Sequence, residues 1–397
     1  MLFSKNLKRH CAALFVGVGL MCLAPRAALA SNPDDSDLFV QADDVHLLFE
    51  GQMPANADEA ALEANWVERD LADALQRYRS EWGDLPTTQI ASGGALEEGD
   101  SGERVSALRA RLGLSGGTKF DAALAERVRL FRDMHGLSQG EHVDAEMIAA
   151  LNRGADHYIA ILDQNLARAR DLPDFLGHRY VFVDIATQHL SMMKDGEVED
   201  TMRVVVGRSQ TQTPIMAGLI RHAVLNPYWN VPVDLVRDRY ASRVINGGRA
   251  YLNRTGFRIL SGFGDDAVQL QPSEVDWDAV RSGELDLRLR QEPGVGNGMG
   301  SVKFMFPNDL GIFLHDTPST HLFEDDERLF SAGCVRLERP EALGRWLMEG
   351  EMPEAGDDPE QVVPLVAPVP IYITYFTAMP QGDRIEFRED IYGHDAV

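Results

Sequence analysis

The chain is poor in cysteine. Three cysteines occur in 397 residues, and no CxxC or HExxH segment is present. The usual structural zinc frameworks and the zincin type of hydrolase are thereby excluded, and the scattered His178, His189, His222 and His321 lack metal-ligand spacing. No metal and no other cofactor is expected. Base is also scarce: 38 Lys and Arg stand against 62 Asp and Glu, a formal net charge of −24. Nucleic acid and anionic lipid surfaces require a basic footprint, so neither is expected as a partner. Long apolar runs are missing as well. No segment reaches the ~18 apolar residues that suggest a transmembrane helix.

What is present begins with an export pattern. Lys5, Lys8 and Arg9 precede an apolar run over 11–23, and Ala28-Leu29-Ala30 follows. These are the three parts of a secretory signal, with cleavage expected after Ala30. Cys11 and Cys22 leave with it. The mature chain then holds one thiol, Cys334, with no disulfide partner, in a compartment that favours disulfides.

Residues 31–95 read as an acidic, disordered start followed by a scaffold helix. Leu62, Trp66, Leu71, Leu75 and Tyr78 recur at helical spacing. Residues 96–153 read as three short helices with glycine turns, and 154–178 as another amphipathic helix closed by Leu172-Pro173. Short strands then follow one another through residues 179–379. A hairpin turn is expected at Lys194-Asp195-Gly196, and many short strands without alternating helices favour an antiparallel sandwich or barrel. Residues 226–293 are charged and helical in pattern and read as a lid or cap inserted between strands. Alternating glycines at 294–300 read as a flexible return, and 380–397 as a tail. The expected fold class is α+β and multidomain. A mostly antiparallel sandwich or barrel carries a helical lid insertion, and small all-α domains precede it.

The chemistry concentrates in two segments. They are His315-Asp316-Thr317-Pro318 and Ser331-Ala332-Gly333-Cys334-Val335-Arg336, with fifteen residues (316–330) between His315 and Ser331. A buried structural thiol is the bland reading of a lone cysteine. The sharper reading is a nucleophile. Thiolate is the reactive form, and a histidine can take the thiol proton and later return it to a leaving amine. His315 is the base in that reading. Gly333 allows close backbone approach, and the N–H groups of Gly333 and Cys334 are candidate oxyanion donors. Either the carbonyl or the side chain of Asp316 could orient His315. Arg336 is a candidate for a substrate carboxylate or a structural ion pair, and Ser331 for the site or for its turn. Tyr228 and Trp229 are candidates for the lid side of the cleft, with buried packing favoured for Trp229.

The two segments resemble the signature of the L,D-transpeptidase (YkuD) catalytic domain: His, about fifteen residues, Ser or Thr, often His, then Gly-Cys-x-Arg or Asn. Ala332 stands where the second histidine is common. Asn165-Leu166-Ala167-Arg168, Asn226-Pro227-Tyr228-Trp229-Asn230-Val231-Pro232 and Arg388-Glu389-Asp390-Ile391-Tyr392-Gly393 resemble the YcbB-like branch. Gly102, Val105, Leu108, Val128, Phe131, Gly136 and Leu137 resemble the three-helix peptidoglycan-binding domain. The resemblance implies a periplasmic enzyme that cross-links peptidoglycan, with tetrapeptide stems as donor and acceptor and a carbapenem-sensitive cysteine. Cell-wall synthesis proteins are possible partners. It leaves other uses of the site open: carboxypeptidase, exchange or cross-link hydrolase activity, and protein anchoring. A non-catalytic peptidoglycan-binding scaffold is the alternative outside enzymology.

Overall fold

The computed structural model describes residues 65–262, 264 and 266–396. The expected export signal, the acidic start and the opening of the first predicted helix lie outside the described residues. Helix α1 runs Trp66–Tyr78 and starts at Asn65, whose side chain accepts the Glu68 N–H at 3.2 Å. Its buried face carries Val67, Leu71, Ala74, Leu75 and Tyr78. Helices α2 (Glu103–Arg111), α3 (Ala122–Met134) and α4 (Ala145–Arg153) follow. Asp121 and Asp144 cap α3 and α4 by accepting the N–H groups of Leu124 and Met147. Gly154 then turns the chain at φ +89° into α5 (Ala155–Arg170).

The residues of 96–153 do not have a core of their own. Their apolar stripes merge with those of α1 and α5, and the same core takes in Tyr180, Phe182, Tyr372 and Phe376. Phe131 meets Trp82 edge-on at 5.2 Å. His135 follows α3 directly. It is also buried, and one ring nitrogen lies 2.8 Å from the Tyr78 hydroxyl.

After α5 the chain is built from strands. They are β1 (Arg179–Asp184), β2 (His189–Lys194), β3 (Glu197–Gly207) and β4 (Met216–Leu225). After the insertion come β9 (Val302–Met305), β10 (Leu314–His315), β11 (Leu329–Ser331), β12 (Val335–Leu337) and β13 (Gln361–Thr374). The β2–β3 hairpin turns at Asp195 and Gly196, both at positive φ, as a two-residue loop of this twist requires. The strand order is β11-β3-β12-β10-β9-β4-β13-β1-β2, and β2 also pairs with β3. Eight strands therefore close on themselves as a barrel, with β11 added beside β3. Most pairs are antiparallel; β1–β13, β10–β12 and β11–β3 are parallel. Alternation along the strands sends Val181, Val183, Val204, Phe304, Leu314, Val335 and Ile371 into one core. Helix α8 (Pro340–Met348) packs Leu343 and Leu347 on that core, and the hairpin β14 (Ala378–Gln381) with β15 (Arg384–Phe387) follows β13.

The segment at 226–293 holds helices, as its pattern predicts, and also a sheet. Helices α6 (Ala241–Thr255) and α7 (Trp277–Ser282) pack on β5 (Trp229–Val231), β6 (Phe257–Leu260), β7 (Gln269–Leu270) and β8 (Arg288–Gln291). The sheet order is β5-β8-β6-β7. Strands of two to four residues are too short to leave a period in the sequence, so they escape a pattern search. Val231, Val236, Tyr240, Val244, Phe257, Ile259 and Leu289 give this unit its own core. Its return through the glycines is held by hydrogen bonds and is not the loose segment that glycine content suggests. The Asn297 amide donates to the carbonyls of Pro227 and Glu292 at 3.0 Å each, and the Gln291 amide donates to Gly296 at 2.9 Å. Among the described residues, no helix is long and apolar enough to cross a membrane.

Candidate active site

Strand register brings the two sequence segments together. In the parallel β10–β12 pair, Leu314 faces Val335 and His315 faces Arg336. Leu314 and Val335 point into the barrel core. His315 and Arg336 therefore share the opposite face, and Cys334, two residues before Arg336, belongs to that face too. Antiparallel β9 adds Lys303 beside His315 on the same side. A one-residue slip would send every one of these groups to the other side.

His315 is 3% exposed, and its Nδ1 lies 2.6 Å from the Asp316 backbone carbonyl. A carbonyl only accepts, so Nδ1 carries the hydrogen and Nε2 keeps its lone pair. That orientation suits a general base. The orienting group is the Asp316 carbonyl, because the Asp316 carboxylate is occupied elsewhere. It accepts the Ser301 N–H at 2.7 Å, the Ser301 hydroxyl at 2.9 Å and the Thr317 N–H at 2.6 Å. Burial, and then the Arg336 charge, push the His315 imidazole down to about 3.

Cys334 is half-buried, and its Sγ lies 3.6 Å from the Gly311 carbonyl. Burial pushes its thiol up to about 11, against a hydrogen bond from the Phe313 backbone and the Arg336 charge. By these shifts the pair rests as neutral thiol and neutral imidazole. Gly333 sits at φ +123°, where a side chain is strained, and an added Cβ would lie 3.2 Å from Ile312 Cδ1.

Of the two N–H groups expected as oxyanion donors, one is already engaged. The Gly333 N–H donates to the Ser331 hydroxyl at 3.0 Å, so it is spent inside the turn. The Cys334 N–H makes no hydrogen bond among the described residues. Ser331 is thus placed as a turn-former, buried at 1% exposure. Arg336 has no ion pair among the described residues, and its buried Nε finds no acceptor. Burial lowers its pKa, and the charges of Arg239 and Arg208 act in the same direction. Arg239 belongs to the 226–293 unit, so that unit stands within electrostatic range of the site. Trp229 packs inside it, at 5.7 Å from the Tyr240 ring, while Tyr228 lies under the Arg290 guanidinium at 4.0 Å. Among the described residues, neither Trp229 nor Tyr228 makes a hydrogen bond or ring contact with Cys334 or His315.

Sequence reasoning missed Thr213 and Tyr392. Thr213 donates its hydroxyl hydrogen to the Gly333 carbonyl at 2.7 Å, and its own N–H donates to the Tyr392 hydroxyl at 3.3 Å. A threonine before a proline carries no chemical signal by itself; only the packing reveals it. No three His, Cys, Asp or Glu side chains converge as metal ligands among the described residues.

Comparison with known proteins now bears on this geometry. Residues 178–371 match the family model of the L,D-transpeptidase catalytic domain, YkuD. A Haemophilus influenzae protein provisionally named L,D-transpeptidase is 30% identical over 245 residues, covering 59% of this chain and 48% of that protein. The chain thus spans about half the length of that relative. Among solved structures, the L,D-transpeptidase (residues 123–326) of Xylanimonas cellulosilytica is 14% identical. It covers 71% of this chain and 98% of its own, with a TM-score of 0.24. An Enterococcus faecium L,D-transpeptidase mutant is 12% identical and covers 51% of this chain and 52% of its own, also with a TM-score of 0.24. At those TM-scores the structural similarity adds nothing to the assignment. The family match spans both His315 and Cys334, and on it residues 178–371 are an L,D-transpeptidase catalytic domain of the YkuD family.

Proposed function

We propose that the chain is an exported L,D-transpeptidase that forms 3→3 cross-links in peptidoglycan. The observation that carries the reading is the His315 tautomer: Nδ1–H is fixed on the Asp316 carbonyl, and a free Nε2 lone pair shares the sheet face of Cys334. The Cys334 sulfur attacks the carbonyl of the L-centre of meso-diaminopimelate in a tetrapeptide stem while His315 Nε2 takes the thiol proton. The resulting oxyanion faces the Cys334 N–H. When the C–N bond breaks, His315 returns the proton to the departing amine of D-Ala. The side-chain amine of a second stem then attacks the thioester, His315 Nε2 takes a proton from that amine, and the sulfur leaves and recovers the proton from His315 as a thiol. Arg336, half-buried and without an anionic partner among the described residues, suits the stem carboxylate. The unit at 226–293 acts as the lid over the donor stem. The periplasm is the site of action.

The test is incubation of the mature protein with disaccharide-tetrapeptide, followed by separation and mass analysis. The expected product is a dimer joined between two diaminopimelate residues, with one free D-Ala per link, absent with Cys334→Ala. Tripeptide alone, without dimer, would overturn cross-linking and establish a carboxypeptidase. Unchanged substrate with a folded protein would leave a non-catalytic peptidoglycan scaffold.

A further inference from the structure

We propose that Thr213 is a positioning residue for acyl transfer: it holds the Gly333 carbonyl so that the Cys334 N–H is presented to the developing oxyanion. The inference rests on the reading of Cys334 as an acyl-transfer nucleophile.

Gly333 and Cys334 share one peptide bond. In a trans peptide, the carbonyl of the first residue and the N–H of the second point in opposite directions. Whatever grips the Gly333 carbonyl therefore aims the Cys334 N–H. Thr213 supplies that grip. Its hydroxyl has one hydrogen, which goes to the Gly333 carbonyl at 2.7 Å, and its lone pair accepts the Gly207 N–H at 2.9 Å. A Gly333 at φ +123° has little of its own to hold the plane, since glycine moves freely among conformations. The Gly333 N–H is tied to Ser331, and the Cys334 N–H has no acceptor among the described residues. Of the two candidate donors, only the Cys334 N–H is left open.

Thr213 is itself held, at 1% exposure. Its N–H donates to the Tyr392 hydroxyl, and that hydroxyl donates to the Gly207 carbonyl at 2.5 Å. The Tyr392 N–H donates to the Tyr375 hydroxyl at 2.9 Å, which in turn donates to Asp390 at 2.6 Å. Every hydrogen in this relay has one direction, so the Thr213 hydroxyl cannot rotate away without leaving a buried group unpaired. The relay makes the segment after β15 part of the site's frame, although none of its residues needs to touch substrate.

The test separates two reactions of the same sulfur. Imipenem acylation passes through an oxyanion: sulfur bonds to the lactam carbonyl carbon, the C–N bond breaks, and the nitrogen takes the proton. Iodoacetamide alkylation displaces iodide and forms no oxyanion. Thr213→Val keeps the shape and removes the hydroxyl; Thr213→Ser restores it. With Thr213→Val we expect imipenem acylation to slow about ten- to hundred-fold, a large part of what losing an oxyanion donor costs, with alkylation within about two-fold of wild type. Thr213→Ser should recover most of the loss. Equal acylation by Thr213→Val and wild type would overturn the proposal. So would a parallel fall in both reactions, which would mean a displaced thiol. If Thr213→Val does not fold, Tyr392→Phe cuts the same relay one bond earlier, and the same split is required of it. A wild-type protein that imipenem never acylates would sink the underlying reading of Cys334, and this proposal with it.

Discussion

Burial of the nucleophile predicts a sluggish resting thiol. The Cys334 thiol is pushed from its ordinary 9.0 up to about 11. At pH 7.5 an ordinary thiol is ~3% thiolate and one at 11 is ~0.03%, so iodoacetamide should modify the folded protein about 100-fold more slowly than the unfolded chain. Limited access to the half-buried sulfur adds to the ratio without changing the slope. The rate should rise ten-fold per pH unit from 6 to 9.5 with no plateau. His315 lies down at about 3 and so does not titrate within that window. A chain begun at Ser31 has Cys334 as its single thiol, so intact mass after timed quenching reads the rate without ambiguity. Urea-unfolded protein serves as the reference. A plateau below pH 9, or a shoulder near pH 6 to 7, would refute the reasoning. Either would mean that Cys334 and His315 rest as a thiolate–imidazolium pair.

Acid should destabilise the fold through two histidines. His135 and His315 are each held down to about 3, against an ordinary 6.5, with burial the largest cause in both. Both are neutral when folded, so their contribution is full above pH 6.5 and is lost as pH falls toward 3. At pH 5 each should remove about 2 kcal/mol of stability relative to pH 8, and His135→Gln should remove its share of the dependence. Urea unfolding at pH 8, 6.5 and 5 measures this; a midpoint independent of pH would contradict it. A second substitution tests the support of His315. Gly300 sits at φ +65°, and an added Cβ would stand 2.2 Å from Asp316 Oδ2. Gly300→Ala should displace Asp316 together with the carbonyl that orients His315. The expected result is a loss of about 1–3 kcal/mol in stability and at least ten-fold in turnover, and wild-type turnover would refute the coupling.

Much of the catalytic domain was legible because its signals are local. The hairpin turn at Asp195-Gly196 is written within a few residues, and the spacing from His315 to Cys334 within one short stretch. Trp229 was readable as packing, since a large aromatic side chain usually finds neighbours. What escaped is long-range. Closure of the barrel depends on β1 meeting β13, and no local pattern states that partner. The spent N–H of Gly333 depends on which way the Ser331 hydroxyl turns. The role of Thr213 depends on Tyr392, 179 residues away. The sheet inside the 226–293 unit was hidden by strands shorter than any detectable period.

The parallel seam between β1 and β13 has a consequence for the order in which the molecule assembles. Val181 pairs with Ile371 there, so the entire inserted unit and every catalytic strand lie between the two partners. A chain emerging from its N-terminal side can form the helices and the β1–β2–β3 meander early, and the inserted unit can condense around its own apolar centre. The barrel must wait for β13. Bringing such distant segments together is entropically costly and slow, and until it happens β1 keeps an unpaired edge. The last large step of folding is therefore the one that encloses the core behind His315 and Cys334. Chemical competence should arrive late and all at once, well after most of the helix content has formed.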